Sequence, residues 1–220
     1  RSLHAPRRRL PGDTMRSLGT WFGRRDRDLD GARAIVTGAS SGVGWALAEL
    51  LARRGSHVLA TARRHDRLAL LAKNASDRRP ILYLAGDLCD SGFRDALVAD
   101  AMERLGGIDV VVSAAGAGAV GPFREAAPET FARVVDLDFV AQAELARACI
   151  PALTRSVDPA IVFVGSILGL HPLPLHGEYA ASKAALRSLA TTLRLELAAD
   201  GIDVIVATLG PVASEFWNSP

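Results

Sequence analysis

The chain has 220 residues, 49% of them apolar, a formal net charge of +2 and two cysteines. That composition suits one globular domain with a sizeable core and excludes a disulfide-framework protein. Eight arginines and four aspartates fall in residues 1–30, leaving 18 basic and 20 acidic residues beyond them, so the domain itself gives no electrostatic reason to propose a nucleic-acid partner.

The first thirty residues, RSLHAPRRRLPGDTMRSLGTWFGRRDRDLD, lack the apolar core of a signal peptide. They read as a basic, mostly disordered leader with Met15 a candidate start, and residues 31–220 read as the domain. From Ala32 onward short apolar runs alternate with helical patterns: ARAIVTG, GWALAELLARRG, SHVLATA, a helix from about His65, and ILYLAGD. There follow a helix over about Phe93 to Leu105, the strand IDVVVSAAG, one long helix over about Pro128 to Leu153, and the strand PAIVFVGS. The next helix carries Tyr179 and Lys183, sets Leu186, Leu189, Ala190, Leu193 and Leu197 along one side, and stops at Gly201 before the sixth strand, IDVIVATLG. Strand and helix repeats with uniformly aliphatic strands predict an α/β fold: a Rossmann-like, doubly wound parallel sheet with helices on both faces. The longest weakly polar run, 110–123, is short and broken by Pro122, so no transmembrane segment is expected. Cys89 and Cys149 sit inside apolar periodic segments without metal-ligand spacing. Free buried thiols, no metal site and a reducing, cytoplasmic compartment are expected.

TGASSGVG, residues 37–44, joins the first strand to the first helix. Glycine there lets the backbone approach a diphosphate, and the helix N-terminus supplies free N–H groups. An ordinary tight turn is the competing account; the placement in the first βαβ unit favours a dinucleotide. After the second strand, where an NAD site usually shows an acid for the ribose 2′-hydroxyl, the sequence is ATARRHDR. Arg63 and Arg64 suit a 2′-phosphate, so NADP is favoured over NAD, the other reading being a solvated helix start. GEYAASKAAL places one of only two tyrosines four residues before one of only two lysines, among 24 arginines. An exposed i,i+4 pair is the plain explanation.

These stretches together resemble the short-chain dehydrogenase/reductase family, single-domain type, over about Ala32 to Phe216. The resemblance rests on Thr-Gly-x-x-x-Gly-x-Gly, the Ser166 to Tyr179 spacing and Tyr-x-x-x-Lys. It implies Tyr179 as proton donor or acceptor, Lys183 as the charge that lowers its pKa and holds the nicotinamide ribose, and Ser166 as anchor of the substrate oxygen. It implies a cofactor site of Gly38, Ser40, Ser41, Gly42, Val43, Gly44, Arg63, Arg64, Asp87, Leu88, Ser113, Ala114, Gly116, Gly210 and Val212, with Tyr179 and Lys183. Bringing a phenol from a pKa of about 10 to about 7 needs roughly 4 kcal/mol. A lysine at about 4 Å supplies that at an effective dielectric near 20, and only about 1 kcal/mol in water.

Three positions depart from the family pattern. Ser113 stands for asparagine in SAAG, Leu209 for proline before Gly210, and Asp138, in VVDLDFVA, for the asparagine that completes the catalytic tetrad. An ionised Asp138 at about 6 Å from Lys183 offsets roughly 3 kcal/mol of its field; the alternative is an Asp138 that points to solvent or caps a helix kink. The expectation is an NADP-dependent oxidoreductase moving hydride between nicotinamide and a small, apolar carbonyl or secondary alcohol, against a catalytically silent nucleotide-binding relative. The sequence also stops before the family's final strand, so an open sheet edge and a homo-oligomer are expected.

Overall fold

A computed structural model describes residues 27–75, 79–213 and 216. Its elements are β1 (Arg33–Thr37), α1 (Gly42–Arg53), β2 (His57–Ala62), α2 (His65–Asn74), β3 (Ile81–Ala85), α3 (Ser91–Arg104), β4 (Val110–Ser113), α4 (Pro128–Val135), α5 (Ala141–Leu153), β5 (Ala160–Ser166), α6 (Gly177–Glu196) and β6 (Asp203–Leu209).

The two-residue period of the strands sorts the apolar side chains into two layers. Ala34, Val36, Val58, Ala60, Val110 and Val112 face α1 and α2, meeting Ala48, Leu51, Leu68 and Leu71. The alternate residues Ile35, Leu59, Val111, Ile161, Phe163 and Val204 face the other way, meeting Leu97 of α3, Leu145 and Cys149 of α5, and Leu186 and Ala190 of α6. All strand pairs are parallel and the order is β3-β2-β1-β4-β5-β6. The Rossmann-like sheet with helices on both faces is the predicted architecture. Successive strands are added outward on one side of β1 and then, from β4, on the other, and the switch between β1 and β4 opens the crevice in which such sheets place ligands.

Local chemistry sets several ends. Asp90 caps α3 by accepting from Gly92 N at 2.8 Å. The long helix expected over 128–153 is divided: a π-helical turn, Asp136–Val140, separates α4 from α5, with Ala141 N donating to Asp136 O. That wide turn carries Asp138.

Residues 1–26 of the expected leader lie outside the described residues. Residues 27–30 pack on the domain: Arg27 pairs with Asp203 at 2.8 Å and also bonds Asp158, and Ser56 Oγ donates to Leu29 O at 2.8 Å. No helix among the described residues is long and apolar enough to cross a membrane.

Candidate active site

The residues just past all six strand ends wall one cleft of about 740 Å3. At the β1 end Gly38 adopts φ +65°, and a Cβ there would stand 2.7 Å from the Ala114 carbonyl oxygen. Only glycine fits, both for the left-handed backbone and for the approach of the two loops. Thr37 Oγ1 fixes that approach by accepting from Ala114 N and Ala115 N, each at 3.0 Å. Ser41 precedes α1 without capping it through its side chain, so the helix presents uncapped N–H groups to the cleft.

Beside this loop Arg64 donates to Ser40 Oγ from Nε at 3.2 Å and from Nη2 at 3.1 Å. Arg67 donates to Ser40 O at 3.3 Å and lies 5.5 Å over the Trp45 ring. Arg63 is exposed and lines the cleft. A concentrated positive charge thus borders the first turn of α1.

On the far side β5 ends at Ser166, and the first two turns of α6 carry Tyr179 and Lys183. Gly169 makes that packing possible, because a Cβ there would lie 2.8 Å from the Lys183 carbonyl carbon. Burial pushes the Tyr179 phenol up to about 12, a hydrogen bond with Ser166 pulls it back, and the Asp138 charge adds to the rise. Lys183 Nζ lies 5.6 Å from the Tyr179 ring centre, donates to Val164 O at 3.3 Å, and meets Asp138 Oδ2 at 3.2 Å.

Asp138 is fully buried and its Oδ1 accepts from Ala117 N at 2.6 Å. Burial raises its carboxyl above the usual range against the pull of Lys183 and the Ala117 N–H, yet both oxygens face donors, the arrangement of a carboxylate. The solvent-pointing alternative is therefore absent, and the separation is direct contact, closer than the 6 Å used in the sequence argument. The π turn is the physical reason: its extra residue rolls Asp138 under the lysine.

Of the residues named from the sequence, Gly38, Ser40, Ser41, Gly42, Val43, Gly44, Arg63, Arg64, Asp87, Leu88, Ala114, Gly116, Ser166, Tyr179, Lys183, Gly210 and Val212 line the cleft. Two do not. Ser113 is fully buried at the end of β4, its hydroxyl without a hydrogen-bond partner among the described residues, and Asp138 lies beneath Lys183. Sequence reasoning held Thr37 only as part of the motif, without its bonds to the 114–115 loop, and passed over Gly169 and Gln142, whose Nε2 donates to Ala115 O at 2.6 Å. Leu168 and Leu173, from the stretch ILGLHPLPLHGE whose leucines read from the sequence as an apolar wall, line the cleft; Phe216 was passed over, and it meets Tyr179 edge to face at 5.3 Å.

A profile described as short chain dehydrogenase matches residues 32–219. Dehydrogenase/reductase SDR family member 4 of Bos taurus is 32% identical over 210 residues, covering 89% of this chain and 72% of that protein. Human dehydrogenase/reductase SDR family member 7 is 32% identical over 213 residues, covering 94% of this chain but 63% of the relative. A solved dehydrogenase/reductase from Sinorhizobium meliloti superposes with a TM-score of 0.81 at 28% identity, over 86% of this chain and 77% of that one. Sequence likeness, shared fold and the strand-end cleft agree: the chain belongs to the short chain dehydrogenase family of oxidoreductases.

Proposed function

We propose that the protein is an NADP-dependent oxidoreductase that interconverts a carbonyl compound and the corresponding secondary alcohol. The single observation that carries the reading is the convergence of Ser166, Tyr179 and Lys183 on one wall of a cleft whose opposite wall is the glycine loop and α1 terminus. The residues present fit a dinucleotide. The Gly38 and Gly44 backbones leave no room for a Cβ, which suits close approach of a diphosphate. Arg63, Arg64 and Ser40 supply the donors a 2′-phosphate needs, with Asp87, Leu88, Ala114, Gly116, Gly210 and Val212 along the remaining length.

A bound nicotinamide supplies or accepts the hydride. The protein's part is to hold the substrate oxygen at Ser166 Oγ and Tyr179 Oη and to move one proton at the phenol. Leu168, Leu173, Val212 and Phe216 give the substrate side an apolar surface, with His176 as its titratable group. A reducing, cytoplasmic compartment, with Cys89 and Cys149 as free thiols, and self-association belong to the same proposal. The second reading, a nucleotide-binding relative with little turnover, is favoured by one observation, the buried Asp138 against Lys183.

Fluorescence titration with NADPH and NADH, followed by a carbonyl panel, separates these. Tighter binding of NADPH with turnover is expected; binding without turnover on any carbonyl selects the second reading. A double variant Arg63→Ala/Arg64→Ala should cost NADPH about 1.5 to 3 kcal/mol and NADH almost nothing. An unchanged affinity ratio contradicts the 2′-phosphate assignment.

A further inference from the structure

The buried Asp138–Lys183 pair is the part of the site that family resemblance does not supply, since the expected residue is a neutral amide. At the foot of the cleft Lys183 Nζ reaches two acceptors, Asp138 Oδ2 at 3.2 Å and Val164 O at 3.3 Å. The carboxylate is held in turn from the opposite side by Ala117 N at 2.6 Å. Paired in this way the two side chains carry no net charge, so the phenol of Tyr179, one helical turn above Lys183, has no uncompensated cation beneath it.

We propose that Asp138, through its ion pair with Lys183, keeps Tyr179 protonated near neutral pH, so that alcohol oxidation, which starts from the phenolate, is slow there and reaches its full rate only in the alkaline range. The inference rests on the oxidoreductase reading above. In reduction the Tyr179 O–H bond breaks as a new O–H bond forms on the substrate oxygen, while the carbonyl carbon takes the hydride of reduced nicotinamide; the phenolate then recovers its proton from water. Oxidation needs the phenolate beforehand, to receive the alcohol proton. Raising the pH does not help until far into the alkaline range, because Asp138, in contact with an ammonium, is ionised before the phenol and goes on cancelling it.

The titratable groups around the pair agree with this assignment. From α6 these are Tyr179 itself and the buried Glu178; from the loop before α6, His176; from the π turn, Asp136, which acts on Cys89. The loop over the pair, residues 114–119, is alanine and glycine only. Asp138 is the charge that acts on Tyr179, and Lys183 the charge that acts on Asp138. The rise of the phenol to about 12 has the same sign.

The test is an alkaline titration of phenolate absorbance in the full chain without cofactor. Tyr83 and Tyr179 are the only tyrosines, so the wild type minus Tyr179→Phe isolates one phenol. Tyr179 is expected to stay protonated beyond the ordinary phenol pKa of about 10, and Asp138→Asn to lower its midpoint by about one pH unit or more. Alcohol oxidation at neutral pH should then rise about tenfold or more in Asp138→Asn. A wild-type phenol that ionises below about 9 overturns the proposal by itself, whether or not the variant folds. A folded Asp138→Asn whose titration overlays the wild type overturns it as well. The expected titrations in a protein that turns over no carbonyl would remove the oxidoreductase reading and leave the control by Asp138 standing; equal neutral-pH oxidation by both proteins would remove the control and leave the oxidoreductase.

Discussion

Arg33 and Asp109 show how single side chains hold the strands that build the site. Arg33 Nε and N donate to Asp109 Oδ2 at 2.8 Å each, Arg33 Nη2 to Oδ1 at 2.6 Å, and Ser156 Oγ to Oδ1 at 2.6 Å, tying the entry ends of β1 and β4. Burial alone raises the Asp109 carboxyl, but the Arg33 and Ser156 hydrogen bonds and the Arg33 charge outweigh it and bring it to about 2 from 3.8. A carboxyl depressed in the folded state contributes stability above its unfolded pKa and loses it as pH falls through the folded value. Discounted for partial solvent access, this amounts to about 1 to 2 kcal/mol, lost between about pH 4 and 2. Denaturant unfolding should find Asp109→Asn less stable by that amount at pH 7, with the gap closing toward pH 2; a pH-independent gap contradicts the linkage. At this scale the candidate residues Ser166, Tyr179 and Lys183 were legible from the motif that carries the family resemblance, and they line one cleft. The bonding of Thr37, which the motif contains, and the parts of Gln142 and Gly169 were not. Each acts through a partner far off in sequence, and a threonine, a glutamine or a glycine alone carries no pattern.

At the scale of elements the alternation of aliphatic strands and amphipathic helices predicted all six strands in order, since parallel strands buried on both faces have few other compositions. The interruption between α4 and α5 was not predicted. A π turn replaces one hydrogen-bond register by another without altering apolar periodicity enough to be read, and Asp138 owes its contact with Lys183 to it. Among the described residues β6 is an edge strand whose Ile205, at 43% exposure, lies on the face opposite the α6 contact, and Leu195 of α6 is 65% exposed. Exposed strand edges with apolar neighbours favour pairing. Light scattering of the purified chain should therefore give a dimer or larger species, and a monomer across working concentrations would contradict self-association.

For the whole molecule, the sheet order gathers positions from Thr37 to Phe216 into one cleft, because every strand delivers its following loop to the same edge. One half is basic and glycine-lined, the other apolar around Tyr179. Under the proposed function the diphosphate and 2′-phosphate lie on the first wall and the reacting phenol on the second, with Lys183 serving both. The most direct measurement is NADPH-dependent carbonyl reduction by the wild type and by Tyr179→Phe, with NADPH affinity taken on the same preparations. The account predicts affinity within a few-fold and kcat lowered by about 10² to 10⁴, the usual contribution of a positioned acid. A Tyr179→Phe protein that reduces the same carbonyl at the wild-type rate would contradict it.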